Sequence, residues 1–281
     1  MSAMDNGSVG RDRPNLQLSR RSLVAAGALM AALGPMGVKR AAAQNVPPNG
    51  PTYGAYCKLP NNIGTPPCLC FLSGTRLLTP GGEVAIENLS IGDLVATQSG
   101  ASRAIRWIGR IAVDRDGGNP WRADAMPVRV SKDAFGKGSP SRDLYLSRSH
   151  MVHLDGVLIP VGDLINGKTI AAVNVPGDQI VYYHVELETH DVLIADGAPC
   201  ESFLTTAEKL AAFDNADEYY ALYGAPADMA SCAPMAIFNG GRSKIASRMR
   251  SAVALLIDRR QPRDVVRDRL EGRALEMSKA A

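Results

Sequence analysis

Turn residues divide the segment from residue 70 to residue 204 into short apolar runs, and this pattern restricts the possible fold most. Thr79-Pro80-Gly81-Gly82 is a tight-turn signal between the runs Arg76-Leu77-Leu78 and Val84-Ala85-Ile86. Apolar and polar residues alternate between Ile105 and Val113, as they do in a half-buried strand. Many short strands with no helix signal between them predict an all-β body. The other predicted strands are residues 128–130, 144–147, 157–160, 169–175, 180–188 and 190–195.

Helix signals begin only after this body. Thr205-Thr206-Ala207-Glu208 has the form of a capping box and predicts a helix that extends to Tyr223. Residues 243–260, which end before Pro262, and residues 262–277 are two further predicted helices, and both are rich in arginine. They could present a surface to an acidic partner or a membrane. We favour the alternative that the arginines form the solvated face of amphipathic helices.

The amino-terminal 43 residues predict an export signal. Arg20-Arg21 precede an apolar run from Leu23 to Val38, which is shorter than the roughly 20 residues of a membrane span. With the A-x-A pattern at Ala41-Ala42-Ala43, the segment resembles a twin-arginine signal peptide and predicts a periplasmic or secreted protein. An ordinary secretory signal or an uncleaved anchor is the alternative. Residues 44–69 are rich in Pro, Asn and Gly and predict an extended or disordered lead-in.

Charge and cysteine spacing argue against several classes of partner. The net charge of this 281-residue chain is only +3, so binding to nucleic acid is not expected. Cys68 and Cys70 form a C-x-C pair without a second close pair, so the cysteines predict no metal site, and no cofactor is predicted. The remaining cysteines are Cys57, Cys200 and Cys232, and the odd total leaves at least one thiol outside any intramolecular pair.

Three separated motifs contain candidate chemical groups. The first begins Cys70-Phe71-Leu72-Ser73-Gly74-Thr75, and the second is Leu144-Tyr145-Leu146-Ser147-Arg148-Ser149-His150. The third begins at Tyr183-His184 and continues from His190-Asp191 to Asp196-Gly197. In this order they resemble the opening, T-x-x-H and penultimate blocks of the Hint (Hedgehog/intein) family. The resemblance covers residues 70–204 and implies a flattened, horseshoe-like all-β fold, with residues 205–281 as an appended C-terminal helical segment.

The resemblance implies self-cleavage at the Leu69–Cys70 peptide bond. The Cys70 thiol would attack the carbonyl carbon of Leu69, and an N–S acyl shift would give a thioester. His150 is implied as the proton donor to the leaving amide nitrogen. Ser147 replaces the usual threonine, and its hydroxyl is implied as a partner of the scissile amide or the oxyanion. The substrate would be the chain's own amino-terminal segment, and the acceptor would be water or a small thiol.

Two histidines of the third motif also stand at or near positions that are functional in inteins. His190 stands at the position of the penultimate-block histidine of many inteins and is implied to assist a later step. A structural histidine bonded within the sheet is the alternative. His184 stands near the position where inteins carry a catalytic Asp or Cys, and we expect only a minor role for it.

The end of the third motif departs from the inteins. They end in His-Asn followed by Ser, Thr or Cys, because the Asn side chain cyclises, whereas this sequence has Cys200-Glu201-Ser202. Full splicing is therefore not expected. A catalytically silent Hint scaffold, or a cysteine hydrolase acting on other chains, remains as an alternative to autocleavage. Cys68 or Cys200 could also inactivate Cys70 by forming a disulfide with it in an oxidising compartment.

Overall fold

The structure is a computed structural model and describes residues 70–280, apart from residues 116, 118, 119, 124, 238 and 239. The predicted signal peptide and lead-in lie outside the described residues. The strands are β1 (Phe71–Leu72), β2 (Arg76–Thr79), β3 (Gly82–Ala85), β4 (Leu94–Ala96), β5 (Ser102–Ala104), β6 (Trp107–Asp114), β7 (Val128–Val130), β8 (Leu144–Leu146), β9 (Met151–Leu154), β10 (Val157–Pro160), β11 (Ile170–Ala172), β12 (Gln179–Glu186), β13 (Val192–Ala195) and β14 (Ala198–Glu201). The helices are α1 (Ala207–Leu210), α2 (Ala216–Tyr223), α3 (Gly240–Ala252) and α4 (Pro262–Ala280).

Two six-stranded antiparallel sheets make up the body. The strand order is β11-β7-β8-β1-β12-β6 in the first sheet and β10-β9-β14-β13-β2-β3 in the second. Strands β4 and β5 form a separate two-stranded ribbon. The sheets, with the helices that follow them, confirm the prediction of an all-β fold with a C-terminal helical segment.

The longest strand pair shows how the apolar pattern produces the fold. Strands β6 and β12 pair along their whole length. Trp107, Ile111 and Val113 of β6 are buried, whereas Arg110 and Ala112 between them are exposed. This alternation buries one face of the strand, where removal of apolar surface from water stabilises the sheet.

The strands that the sequence did not predict are short. The predicted strands correspond to β2, β3, β6, β7, β8, β10, β11, β12 and β13, whereas β1, β4, β5, β9 and β14 were missed. The two-residue strand β1 is an example, since Phe71 lies opposite Leu146 on one side and Tyr183 on the other. A strand of this length shows no periodicity, and its partners come from distant parts of the chain.

The first predicted helix is interrupted, and its cap is the second threonine of the predicted capping box. Helices α1 and α2 replace one continuous helix, and the cap of α1 is Thr206, whose Oγ1 accepts a hydrogen bond from the Lys209 N–H at 3.3 Å. Between the helices, Asn215 Oδ1 accepts the Arg110 N–H at 2.8 Å, and Asp214 Oδ2 accepts the Ala112 N–H at 2.8 Å. These side chains accept hydrogen bonds from backbone N–H groups on the outer edge of β6, where no further strand of the described structure pairs with it. The residues between α1 and α2 make these contacts, which explains why the helix is interrupted.

Several arginines of α3 and α4 lie in internal contacts rather than on a solvated face. The Asp264 carboxylate is fully buried and accepts hydrogen bonds from Arg250 at 2.6 and 3.1 Å and from Ser247. Arg267 is almost fully buried and donates to Ser247 and Ser251. The prediction that the arginines lie on a solvated face is therefore wrong for Arg267. Its side chain is buried at the contact between α3 and α4, where hydrogen bonds compensate for the loss of water. Within the described residues, no helix is long and apolar enough to cross a membrane.

The turn between β13 and β14 holds a buried carboxylate. Asp196 and Gly197 have φ angles of 46° and 77°, as in the tight hairpin turns that favour Asn, Asp and Gly. Burial raises the pKa of Asp196 to about 6, and the Arg142 guanidinium at 3.4 Å opposes this shift only partly. Between about pH 4 and pH 6 the folded chain therefore holds a proton that the unfolded chain has released.

We expect the free energy of unfolding to fall as the pH rises through this window, by at most about 3 kcal/mol from Asp196. Asp196→Asn keeps the turn conformation and removes the ionisable group, so the variant should gain stability relative to the wild type as the pH rises from 4 to 7. Urea unfolding across this pH range measures the difference. Asp155→Asn is the matched control, since Asp155 also has a positive φ (51°) but its side chain is 50% exposed. Parallel pH profiles for wild type and Asp196→Asn would contradict the assignment.

Candidate functional site

Cys70 and Ser147 are joined by two reciprocal hydrogen bonds. The Cys70 N–H donates to Ser147 Oγ at 2.7 Å, and the Ser147 N–H donates to the Cys70 carbonyl oxygen at 2.8 Å. Both residues are buried. The nitrogen of Cys70 belongs to the peptide bond that the sequence predicts to be cleaved. The structure therefore places the Ser147 hydroxyl directly on that amide, although Leu69 itself lies outside the described residues.

A tight turn connects Ser147 to His150. The His150 N–H donates to the Ser147 carbonyl at 3.1 Å, and the His150 carbonyl accepts the Val161 N–H at 2.9 Å. The Arg148 carbonyl accepts the Gly162 N–H at 2.8 Å. A Cβ atom at Gly162 would lie 2.6 Å from that Arg148 oxygen, so only glycine permits this approach. The backbone N–H groups of Val161 and Gly162 thus fix the turn through hydrogen bonds to its carbonyl oxygens.

The His150 side chain lies in a fully buried, largely aromatic environment. Its ring centroid is 4.3 Å from that of Phe71 and 5.0 Å from that of His184. Phe71 follows Cys70 directly, so β1 brings the predicted nucleophile and the imidazole into one region. Cys70, Ser147 and His150 are therefore brought together by β1, by the end of β8 and by the turn before β9.

The Cys70 side chain belongs to a cluster of buried, mainly apolar residues. This cluster also contains Trp107, Tyr182 and Phe203 and continues into the helical segment through Phe213 and Tyr219. Burial raises the pKa of the Tyr182 hydroxyl, with a smaller contribution from the nearby Cys70, and this hydroxyl donates to the Ala125 carbonyl at 2.9 Å. Cys70 is fully buried, so solvent does not reach its thiol in this conformation.

His184 is a fully buried imidazole on β12. Burial lowers its pKa well below the usual value, and the nearby positive groups His150, Lys209 and His190 lower it further, so the ring is neutral. Neither ring nitrogen has a hydrogen-bond partner among the described residues. Buried polar atoms are normally paired, so an unpaired imidazole at this position requires an explanation.

His190 is buried and contacts Glu201 and the backbone at Cys232. Its Nε2 is 3.4 Å from Glu201 Oε2, and its Nδ1 accepts the Cys232 N–H at 3.0 Å. Glu201 Oε1 accepts the Met151 N–H at 3.0 Å. These contacts connect His190 to the carboxylate of Glu201 and to the chain beyond the predicted domain.

Glu201 is the residue at this site that the sequence analysis did not identify, and His184 was expected to have only a minor role. Ligand atoms of His150, His184 and Glu201 all lie within 4.8 Å of one another. The three residues come from the turn before β9, from β12 and from β14, so no local spacing in the sequence reveals the group. The sequence offered one indication of Glu201, which is its place beside Cys200 where the resemblance aligns the terminal residues of inteins.

Cys200 does not form the disulfide with Cys70 that the sequence allowed. Cys200 and Cys232 are both free thiols in the structure. Burial raises the pKa of Cys200 far above its usual value, and the charges of Glu201 and Asp196 raise it further. A thiol of this kind is a poor nucleophile. The other proposed partner, Cys68, lies outside the described residues.

Residues 69–207 match the family model described as Hint domain, and this match covers both sheets. This segment is a Hint domain. No curated protein matches the chain. The Hint domain begins one residue before Cys70 and ends where helix α1 begins, so helices α2 to α4 lie outside the match.

Solved structures similar to this chain include inteins and an intein-like domain. The crystal structure of the gp41-1 intein is 13% identical, with a TM-score of 0.33, and covers 47% of this chain and 97% of its own. The bacterial intein-like domain from Clostridium thermocellum is 15% identical, with a TM-score of 0.34, and covers 48% and 97%. The DnaB intein from Synechocystis sp. PCC 6803 is 9% identical, with a TM-score of 0.33, and covers 48% and 98%.

We predict that Gly162→Ala destabilises the Hint domain by about 1–3 kcal/mol, because the new methyl group collides with the Arg148 carbonyl and side chain. The collision should also displace the turn that carries Ser147 and His150. Urea unfolding measures the first effect, and the histidine NMR signals of His150 report the second. Gly136→Ala is the control, since a Cβ there meets no atom within 4 Å. Equal stability of the two variants would contradict the argument.

Proposed function

We propose that the Hint domain is an autoprocessing domain that cleaves the Leu69–Cys70 peptide bond by an N–S acyl shift. The observation that carries the proposal is the 2.7 Å hydrogen bond from the Cys70 amide to Ser147 Oγ, in a buried site that also contains His150. An amide whose nitrogen is fixed by a side chain, beside a thiol on the same residue and close to an imidazole, has the groups that this rearrangement requires.

The reaction proceeds in two balanced steps. Cys70 Sγ bonds to the carbonyl carbon of Leu69, and the carbon–nitrogen bond breaks as His150 protonates the nitrogen. The thiol proton replaces the one that His150 gives up, so the product is a thioester with a free amino group on Cys70. Water or a small thiol then attacks the thioester carbonyl, and the carbon–sulfur bond breaks. The Ser147 hydroxyl holds the nitrogen in position during the first step.

The proposed reaction ends at cleavage and does not include splicing. After β14 the chain continues through Ser202 and Phe203 into the helical segment, with no Asn that could cyclise at the aligned position. The products are a fragment that ends at Leu69 and a domain that begins at Cys70.

The second candidate is a catalytically silent Hint scaffold. The complete burial of Cys70 among Trp107, Tyr182 and Phe203 favours it, because an external nucleophile must reach the thioester for cleavage to finish. Phe213 and Tyr219 of the helical segment extend the same cluster. An inactive domain would keep this packing and use its surface, including helices α3 and α4, for interaction with another protein.

Intact-mass measurement on the full chain, with and without an added thiol, separates the two candidates. We expect a fragment ending at Leu69 that accumulates faster with thiol and is absent in Cys70→Ala. Ser147→Thr should retain cleavage, whereas Ser147→Ala and His150→Asn should slow it roughly 100-fold or more. His153→Asn is the control, since His153 lies outside the cluster. Folded protein that releases no fragment under any condition would support the silent scaffold instead.

We also propose that the chain is exported by the twin-arginine pathway to the periplasm or beyond. Arg20-Arg21 before an apolar run and the Ala41-Ala42-Ala43 pattern support this. Because that pathway carries folded proteins, cleavage before export would separate the domain from its signal. The proposal therefore places cleavage after export.

Replacement of Arg20 and Arg21 by lysine should retain the protein in the cytoplasm, as measured by cell fractionation and immunoblotting with an antibody against the Hint domain. The matched control replaces Lys39 and Arg40, which lie after the apolar run. Unchanged export of the Arg20/Arg21 variant would point to an ordinary secretory signal.

A further inference from the structure

Helix α3 presents its polar side to the protein and its apolar side to solvent. Ser247 is fully buried and donates to the Asp264 carboxylate of α4, and Arg250 binds the same carboxylate. Ile245 and Met249 lie four residues apart on the opposite side of the helix, and both are largely exposed. A surface helix normally buries its apolar stripe, so α3 has the reverse arrangement.

The exposed apolar surface continues into the loop between α3 and α4. Val253 and Ile257 are exposed there, and the side chains of Leu255 and Leu256 are 99% and 87% exposed. Six of the 13 large apolar side chains that are exposed in the described residues thus lie between residues 245 and 257. Such a concentration of apolar side chains in contact with water is unfavourable and marks a binding surface.

Basic residues accompany this surface along the chain. Between Arg242 and Arg263 the chain has seven basic residues and one acidic residue, Asp258. The Asp258 carboxylate accepts hydrogen bonds from Arg260 at 2.7 and 3.0 Å, which offsets its charge within the loop. Arg242 and Arg259 are exposed and form no ion pair with the described residues. Two uncompensated positive charges therefore flank the apolar side chains.

The combination of apolar and basic side chains determines which partner fits. A second copy bound through the same surface would bring like charges together, which is unfavourable. An anionic lipid surface is complementary to both features. Apolar side chains enter the boundary between headgroups and acyl chains, and arginines are attracted to the lipid phosphates.

We propose that the outer side of α3 and the loop that follows it, from Ile245 to Ile257, bind the surface of an anionic lipid bilayer. Leu255 and Leu256 enter the headgroup boundary, and Arg242 and Arg259 contact the lipid phosphates. This surface lies outside the Hint domain and goes beyond the proposed function. A cleaved domain that begins at Cys70 would keep it, so binding to lipid does not depend on cleavage.

A fluorescent reporter at position 256 tests the proposal in the full chain. The two native tryptophans, Trp107 and Trp121, are buried, so a vesicle-dependent change in the emission of Leu256→Trp reports on this loop. We expect the emission to shift to shorter wavelength with vesicles of phosphatidylglycerol and phosphatidylcholine, and not with phosphatidylcholine alone. Leu222→Trp is the matched control, because Leu222 is also exposed but lies on α2, and its emission should not shift.

The apolar contribution is measured by titrating vesicles against further variants of the Leu256→Trp chain. Met249→Ser combined with Leu255→Ser should weaken binding roughly 10-fold or more, because two apolar side chains no longer leave water on binding. Leu222→Ser removes an exposed leucine from α2 instead and should bind as the parent does.

The charge contribution is measured in the same way. Arg242→Gln combined with Arg259→Gln should weaken binding roughly 10-fold or more, because each arginine near an anionic surface strengthens binding about fivefold. Arg110→Gln combined with Lys168→Gln is the matched control, since both residues are exposed on the Hint domain. Raised salt should weaken binding by the parent, because ions screen the attraction.

An emission of Leu256→Trp that anionic vesicles leave unchanged would overturn the proposal. Equal shifts for Leu256→Trp and Leu222→Trp would also overturn it, since the chain would then approach lipid through no particular surface. A shift that grows with protein concentration in the absence of vesicles would assign the surface to contact between two copies. Undiminished binding by the paired arginine variant would exclude attraction to anionic lipid as the cause.

Discussion

The paired hydrogen bonds between Cys70 and Ser147 connect the start of the Hint domain to its interior. They continue the antiparallel contact of β1 with β8, and β12 pairs with β1 from the other side. Strand β1 contains only two residues and therefore few ladder hydrogen bonds of its own. The two bonds to Ser147 are thus a large part of the hydrogen bonding that fixes the position of Cys70. The same contacts place Phe71 against His150, so the position of the imidazole and that of the predicted nucleophile depend on one short strand.

Polar groups buried in an apolar surrounding define the rest of the site. His150, His184 and Glu201 lie among aromatic and aliphatic side chains, where an unpaired donor or acceptor is costly. A sequence selected for stability alone would place apolar residues at such positions, since a well-packed apolar group avoids the desolvation cost. Their presence therefore fits a site whose function needs these polar groups.

The helical segment packs against the region that contains Cys70. Phe213 and Tyr219 extend the cluster that encloses Cys70, and Arg106 binds Glu186 at 2.9 Å while packing on the rings of Tyr219 and Tyr223. The segment thus covers the side of the Hint domain on which the thiol lies. Together with Trp107, Tyr182 and Phe203, this packing buries the Cys70 side chain.

The sequence by itself determined the all-β class, most of the strands, the helical end of the chain and the grouping of Cys70, Ser147 and His150 into ordered motifs. These features depend on local periodicity, on turn residues and on short patterns, which are all readable along the chain. Only the tertiary structure decided that Glu201 and His184 join His150, that Arg267 is enclosed between α3 and α4, and that β1 lies between β8 and β12. The physical reason is that burial and pairing of polar groups are set by contacts between residues far apart in sequence, and such contacts leave no periodic signal in the chain.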